Sequence, residues 1–171
     1  MKKVHNCWHC QKSVGYHDFF CSACKKIQEP LEKNPFEVFE IGKKFKIDLD
    51  ELEKKHLQFQ SFLHPDKFIN SSENEQAFSL GHSSKINEAF NLLKNNISRA
   101  DLLLQLFGFK AEKDNKSYND RKVLEEIMDL QNECMLVETD NEKKKLKSTI
   151  ESNIKKTLKD LDKSLDSKEL A

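Results

Sequence analysis

The tripeptide His64-Pro65-Asp66 lies between two amphipathic stretches, and this arrangement most limits how the chain can fold. Apolar side chains recur at the spacing of one helical face in residues 49–63, and a similar run extends from Phe78 to Leu93. Proline lacks a backbone N–H and disfavours helical geometry in the preceding residue, so the first helix is expected to end at the tripeptide. The pattern therefore predicts two antiparallel helices joined by a polar loop.

Composition favours an all-α fold, since the 171 residues include only 4 Gly and 3 Pro. The 29 basic and 29 acidic side chains cancel, which leaves no overall field that would attract nucleic acid. No apolar run reaches transmembrane length, and the N-terminus lacks the apolar region of a signal peptide. We expect a soluble protein of the bacterial cytoplasm, or of the mitochondrial matrix if a transit segment has been removed.

Four cysteines form a second motif, with the pair Cys7 and Cys10 followed by the pair Cys21 and Cys24. Two C-x2-C pairs supply the four thiolates of a structural, tetrahedral Zn²⁺ site. A segment of about thirty residues cannot bury a core of its own, so a metal would supply its folding energy. We expect a small apolar cap around the metal, formed by Trp8, Val14, Tyr16, Phe19 and Phe20.

Four cysteines at this spacing have other uses in proteins. Two disulfides would need an oxidising compartment, which no secretion signal supports. A thioredoxin-like redox site would need a surrounding βαβ pattern, which is missing. An iron site of the rubredoxin type uses the same ligands and stays open beside zinc. His5, His9 and His17 are interpreted as non-ligands, because four thiolates already complete the coordination shell.

Two further features precede the predicted helix pair in the sequence. Residues 35–41 are expected to form a short helix, because proline is well tolerated in a first turn, and Phe36 and Phe39 would dock this helix on the pair. Asp48 is the predicted N-cap of the next helix, with Glu51 three residues on as its partner in a capping box.

Three more helices are predicted over residues 98–107, 120–137 and 141–165, and their short links favour a three-helix bundle. The middle helix carries a core stripe that includes Ile127, Leu130 and Cys134. A second stripe beside it contains Leu124 and Met128. Periodicity alone is equally consistent with a wide core and with an exposed binding patch rimmed by polar residues.

Several segments resemble one family of proteins. They are His64-Pro65-Asp66-Lys67-Phe68, Ile86-Asn87-Glu88-Ala89-Phe90-Asn91-Leu92-Leu93, Ser98-Arg99-Ala100-Asp101-Leu102-Leu103-Leu104 and Gly108-Phe109. The tripeptide between two helices resembles a J-domain, and the segments together resemble the HscB/Hsc20 family, J-type co-chaperones of iron–sulfur cluster assembly. The resemblance runs from about Asn34 to the C-terminus. The Arg-Ala-x-Leu-Leu junction sets this family apart from general J-proteins, and the cysteine motif resembles that of its eukaryotic and some bacterial members.

The resemblance implies contact with an Hsp70 of the HscA or mitochondrial type, whose ATP hydrolysis the tripeptide couples to client binding. The implied Hsp70-binding residues are His64, Pro65, Asp66, Lys67, Lys54 and Lys55. Leu57 and Gln58 stand where basic residues are common in J-proteins. This thin basic patch suggests a weaker or more specialised pairing with Hsp70.

The resemblance also implies that the second stripe of the middle helix holds an iron–sulfur scaffold protein of the IscU type. The implied scaffold-binding residues are Leu124, Met128, Glu125, Asp129 and Asn132. The chain would then be a non-enzymatic adaptor that delivers the scaffold to the Hsp70 and promotes cluster transfer.

The expected organisation is a four-cysteine zinc module at 1–32, a J-domain helical hairpin at 33–96 and a C-terminal three-helix bundle at 97–171. We expect a monomer or a weak homodimer without nucleic-acid or membrane partners. The alternative, a general J-protein that recruits clients through its zinc module, predicts a Gly/Phe-rich linker and a β-rich client domain, which the sequence lacks. A redox enzyme would show visible absorbance or thiol turnover, and a nucleic-acid-binding ribbon would carry more basic residues.

Overall fold

The computed structural model describes residues 4–109 and 121–166. The chain divides into two compact units, Met1–Leu106 and Phe107–Ala171. The described part is mostly helical, with a small two-stranded sheet in the N-terminal cysteine module, and this confirms the predicted fold class. No helix in these two ranges is both long and apolar enough to cross a membrane.

The first unit opens with a two-stranded antiparallel sheet, in which His5 lies opposite Val14. The elements of the described residues are β1 Val4–Asn6, β2 Ser13–Gly15, α1 Pro35–Val38, α2 Leu49–Leu63, a 3₁₀ turn Pro65–Phe68, α3 Glu73–Lys94, α4 Asn96–Leu106, α5 Arg121–Leu136 and α6 Asp140–Asp166.

Polar caps start both helices of the central hairpin. The Asp48 carboxylate accepts hydrogen bonds from the backbone N–H groups of Asp50 and Glu51, both at 3.0 Å, and so begins α2 as predicted. The predicted capping box is wrong, because the Glu51 carboxylate lies 3.2 Å from Lys55 Nζ, one turn further along. A reciprocal box does form at α3, between Ser72 and Glu75.

The helix α1 is shorter than the predicted 35–41 but docks as expected. It stops before Phe39 because the next residue, Glu40, adopts a φ of 50°, which a helix cannot continue. Phe36 and Phe39 are fully buried, and the Phe39 ring lies 5.6 Å from that of Phe59 on α2. These rings join α1 to the hairpin core, whose largest buried side chains include Leu52, Leu63, Ile86 and Leu93.

A buried guanidinium fixes the junction between α3 and α4. Arg99 Nε donates to the Phe45 carbonyl at 2.7 Å, and its two terminal nitrogens donate to the Leu93 carbonyl and to Asn96 Oδ1. The guanidinium also lies 4.9 Å from the centre of the Phe45 ring. Arg99 therefore ties the start of α4 to the segment before α2, and α4 belongs to the first unit. The predicted boundary between residues 96 and 97 stays a prediction.

The second unit contains α5 and α6, close to the predicted bounds; residue Asp120, the predicted start, lies outside the described residues. Thr139 and Glu142 cap α6 reciprocally, since the Glu142 carboxylate accepts from the Thr139 backbone N–H at 3.0 Å and the Thr139 hydroxyl oxygen accepts from the Glu142 backbone N–H at 3.3 Å. Cys134 is exposed, so its predicted place in a core is wrong. No side chain of α5 is buried.

Candidate metal centre and docking surfaces

The two cysteine pairs are shaped by the same backbone turn. The N–H of Gln11 donates to the Cys7 carbonyl at 3.0 Å, and the N–H of Lys25 donates to the Cys21 carbonyl at 2.8 Å. Gln11 and Lys25 share a φ of 61°, the left-handed conformation that closes each turn. This repeated turn directs the two sulfurs of each pair to the same side.

The four sulfur atoms converge on one point, within 4.8 Å of one another. The Sγ atoms of Cys7 and Cys24, and those of Cys10 and Cys21, are 3.6 Å apart. This is too long for a disulfide, whose sulfurs are about 2.05 Å apart. It is close to the roughly 3.8 Å between two sulfurs on a tetrahedral ion with metal–sulfur bonds of about 2.3 Å. The four cysteines therefore fit a metal ion, and the predicted ligand set is brought together.

The surroundings of the sulfurs bias their protonation. Burial raises the pKa of the Cys7 thiol, but hydrogen bonds, led by those from the backbone N–H groups of Cys10 and His9, lower it to about 6. A backbone hydrogen bond at Lys26 lowers the pKa of Cys24, but burial and the neighbouring sulfurs raise it to about 12. One thiolate thus forms readily while another thiol keeps its proton until a cation offsets the negative charge.

The aromatic side chains of the module pack on the helical hairpin. Val14 is buried beside Cys7 and Cys21, as expected of a cap. The Trp8 ring, however, lies 5.7 Å from Phe78 on α3, and the Phe19 ring lies 5.2 Å from Phe59 on α2. Two of the rings expected in the apolar cap therefore also attach the module to the hairpin, where large rings can bury more area than inside so small a module.

Polar contacts complete the attachment of the module. Lys26 Nζ lies 2.9 Å from Glu75 Oε2 at the start of α3. His82 Nε2 lies 2.8 Å from the Gln28 carbonyl, and the Gln28 amide donates to Cys7 Sγ at 3.4 Å. Sequence reasoning missed the contacts of Lys26 with Glu75 and of Gln28 with His82, since no spacing pattern links residues about fifty positions apart in the chain.

The tripeptide forms a fixed, exposed turn. His64 ends α2 and caps the 3₁₀ turn, where its Nδ1 accepts a hydrogen bond from the Asp66 N–H at 3.3 Å. Phe68, at the end of the turn, is buried and anchors it. The side chains of His64, Asp66 and Lys67 remain exposed, so the turn presents them to solvent.

The two lysines predicted on α2 differ in their surroundings. Lys54 is exposed. Lys55 is partly buried: its Nζ donates to the Phe39 carbonyl at 3.0 Å and lies 3.2 Å from Glu51. Lys55 therefore holds α1 against α2, and its contact with Hsp70 stays a prediction.

The residues implied in scaffold binding share an exposed face of α5. Leu124 and Met128 are one turn apart, with 44% and 61% of their surface exposed. Glu125, Asp129 and Asn132 are exposed beside them, and Glu125 pairs with Arg121 at 2.9 Å. In the second unit this face is an apolar stripe with an acidic rim.

Known proteins resemble this chain, although no family model matches it. It is 30% identical to the human iron–sulfur cluster co-chaperone protein HscB over 153 residues, which is 87% of this chain and 65% of the human protein. It is 33% identical to a co-chaperone HscB homolog of Shewanella loihica over 106 residues, which is 56% of this chain and 61% of that protein. The chain thus spans less than two thirds of the length of these relatives.

A solved structure extends this similarity. The crystal structure of the human co-chaperone HscB has a TM-score of 0.84 to this chain at 27% identity, and the match covers 96% of this chain and 86% of the human one. The likeness includes nearly all of the fold described above.

Proposed function

The chain belongs to the HscB co-chaperone family over most of its length, and we propose that it carries an iron–sulfur scaffold protein to a specialised Hsp70. In this proposal the chain stimulates the Hsp70 ATPase, promotes cluster transfer and catalyses no reaction itself. The observation that carries it is the exposed His64-Pro65-Asp66 turn at the end of α2, which presents the side chains of His64 and Asp66 to solvent.

The turn is suited to engage a partner because its shape is set before binding. The buried Phe68 ring and the hydrogen bond from the Asp66 N–H to His64 hold the turn. Exposed groups that are already ordered lose less conformational entropy when they are bound. We therefore assign the Hsp70 contact to His64, Pro65 and Asp66, with Lys67 and Lys54 as the exposed cations nearby.

The α5 face suits the second partner. Leu124 and Met128 offer an apolar strip of the kind that anchors an interface, and the thioether of Met128 adapts to varied surfaces. Glu125, Asp129 and Asn132 supply a polar rim. We propose that an IscU-type scaffold binds here.

The four-cysteine site is proposed to hold structural zinc. Four sulfurs at tetrahedral spacing complete the shell of Zn²⁺ and leave no open position for a substrate. A zinc-loaded protein would be colourless and hold about one zinc per chain by elemental analysis. Visible absorbance from a thiolate-bound iron would instead identify the rubredoxin type.

A binding experiment separates the two partners. We expect Leu124→Ala combined with Met128→Ala to weaken binding of an IscU-type scaffold by about tenfold or more in calorimetry. The same variant should stimulate the Hsp70 ATPase normally without scaffold. His64→Gln should instead bind the scaffold normally and fail to stimulate the ATPase. Leu136→Ala, an exposed leucine near the end of α5, is the matched control. Wild-type scaffold affinity in the double variant would refute the assignment of this face.

A further inference from the structure

Four buried polar side chains, at the spacing of one helical face, form what we call the polar face of α3: Glu75, Ser79, His82 and Ser83. Two of them bind the cysteine module. Glu75 accepts a hydrogen bond from Lys26 at 2.9 Å, and His82 Nε2 lies 2.8 Å from the Gln28 carbonyl. The buried Gln28 amide in turn donates to a sulfur of the metal centre, Cys7 Sγ, at 3.4 Å.

The other two members of the polar face hold the tripeptide turn. The hydroxyls of Ser79 and Ser83 donate to the Leu63 carbonyl, at 2.7 and 3.4 Å. Leu63 ends α2 and immediately precedes His64. In a continuing helix this carbonyl would accept from the N–H of Lys67, but that N–H donates to the His64 carbonyl instead. One face of α3 therefore connects the metal centre to the turn.

Each close pair of sulfurs combines a buried cysteine with a reachable one. The Sγ atoms of Cys7 and Cys24, and those of Cys10 and Cys21, are 3.6 Å apart. Cys7 and Cys21 are fully buried, whereas Cys10 and Cys24 are partly exposed. An oxidant can reach one sulfur of each pair, and the other lies close enough to resolve the product as a disulfide.

We propose that the cysteine centre is a redox-responsive site, where hydrogen peroxide converts the four thiolates into two disulfides and thereby loosens the tripeptide turn. The exposed thiolate of each pair attacks the O–O bond, becomes a sulfenic acid and releases hydroxide. The buried thiolate then attacks the sulfenic sulfur and displaces a second hydroxide. In total, two peroxide molecules accept four electrons and four protons and become four waters, while the metal ion leaves.

Oxidation weakens the attachment of the module to α3. A disulfide sulfur is neutral, so the buried Gln28 amide loses its charge-assisted hydrogen bond to Cys7. Loss of the metal also frees the turns that position Lys26 and Gln28. As these contacts weaken, α3 holds the Leu63 carbonyl less firmly. The effect on the Hsp70 rests on the function proposed above.

Peptide mapping tests the disulfides. Trypsin cleaves after Lys12 and Lys25, which separates the two C-x2-C pairs, and Cys134→Ser removes the fifth cysteine. In this variant, peroxide should link the peptides 4–12 and 13–25 and release about one metal ion per chain. Retained metal, or two unlinked peptides with internal disulfides, would overturn the proposal.

Hydrogen exchange and ATPase assays measure the effect on the turn. After oxidation and removal of peroxide with catalase, amides of residues 66–72 should exchange about fivefold faster or more, and those of α6 as before. Stimulation of the Hsp70 ATPase should fall about fivefold and return after treatment with dithiothreitol and zinc. Unchanged exchange in the turn would refute the switch.

Substitution of the serines tests the connection through Leu63. Ser79→Ala combined with Ser83→Ala should give the reduced protein the weak stimulation of the oxidised one, and oxidation should then change little. Ser84→Ala, at an exposed serine of α3, is the matched control and should respond like the wild-type protein. A double variant that still loses stimulation on oxidation would refute this connection.

Failure of the switch and failure of the co-chaperone function give different results. If reduced and oxidised proteins stimulate the Hsp70 equally, the switch is refuted and the co-chaperone function stands. If even the reduced protein does not stimulate it, the co-chaperone function is refuted, while peptide mapping and hydrogen exchange still decide the redox response.

Discussion

Lys26 Nζ lies 2.9 Å from Glu75 Oε2 and joins the second cysteine pair to the first turn of α3. The Glu75 carboxylate is nearly buried and also accepts a hydrogen bond from the Ser72 hydroxyl at 2.8 Å. The hydrogen bond from Lys26 is the main cause of its lowered pKa. Since Lys26 follows Cys24 by two residues, a single carboxylate links the metal centre to the helix that begins after the tripeptide turn.

Removal of the lysine should destabilise the first unit. In Lys26→Ala the nearly buried Glu75 carboxylate loses its ionic partner, and we expect a loss of about 1–2 kcal/mol in the free energy of unfolding. The estimate is modest because the lysine is partly exposed and water screens the pair. Urea unfolding followed by circular dichroism measures the loss. Lys25→Ala, an exposed neighbour, should unfold like the wild-type protein, and equal midpoints for both variants would contradict the argument.

Metal removal should loosen the hairpin as well as the module. Without the metal, the turns that position Phe19, Lys26 and Gln28 lose their anchor, so their contacts with α2 and α3 weaken. Hydrogen exchange should show faster exchange of amides in the first turns of α3 after chelation. Amides of α6 provide the internal control and should exchange as before. Unchanged protection of α3 would show that the module folds independently of the hairpin.

Stability should fall with acidification because His82 is buried as the neutral ring. Burial is the main cause that lowers its pKa to about 4; the Gln28 carbonyl opposes this, and the Lys33 and Lys85 ammonium groups add to it. The unfolded chain binds a proton below about pH 6.5 while the folded protein does not, so stability declines from there towards about pH 4. The full loss is about 3 kcal/mol.

Two histidine variants test this pH dependence, one at His82 and a control at His17. Unfolding of the metal-loaded protein between about pH 7.5 and 5 should show the decline. His82→Gln should flatten it, because an amide can donate to the Gln28 carbonyl without titrating. His17→Gln, at an exposed histidine, should retain the wild-type slope. The same slope in both variants would mean that another group carries the proton linkage.

The sequence predicts where the helices lie better than it predicts the contacts between them. Periodicity locates α2 and α3, because it depends on residues close together in the chain, and Asp48 caps α2 where expected. The four cysteines were found because metal ligation demands a fixed spacing. Contacts between elements were missed. The residues next to Trp8 in the sequence do not indicate that its ring will pack against α3. The pattern of α2 does not show which of its lysines donates a hydrogen bond to the Phe39 carbonyl.

Lys55 illustrates the difference, and it can be tested against Lys54. Lys55→Ala removes the donor to the Phe39 carbonyl and should lower the free energy of unfolding by about 1 kcal/mol. Lys54→Ala, at the exposed neighbouring position, should leave stability unchanged. Since this ammonium faces α1, we expect the Lys55 variant to stimulate the Hsp70 ATPase as strongly as the wild-type protein does, at temperatures where the variant is folded. Chemical unfolding and single-turnover ATP hydrolysis measure the two effects. A Lys55 variant of normal stability that stimulates poorly would place this lysine in the Hsp70 interface.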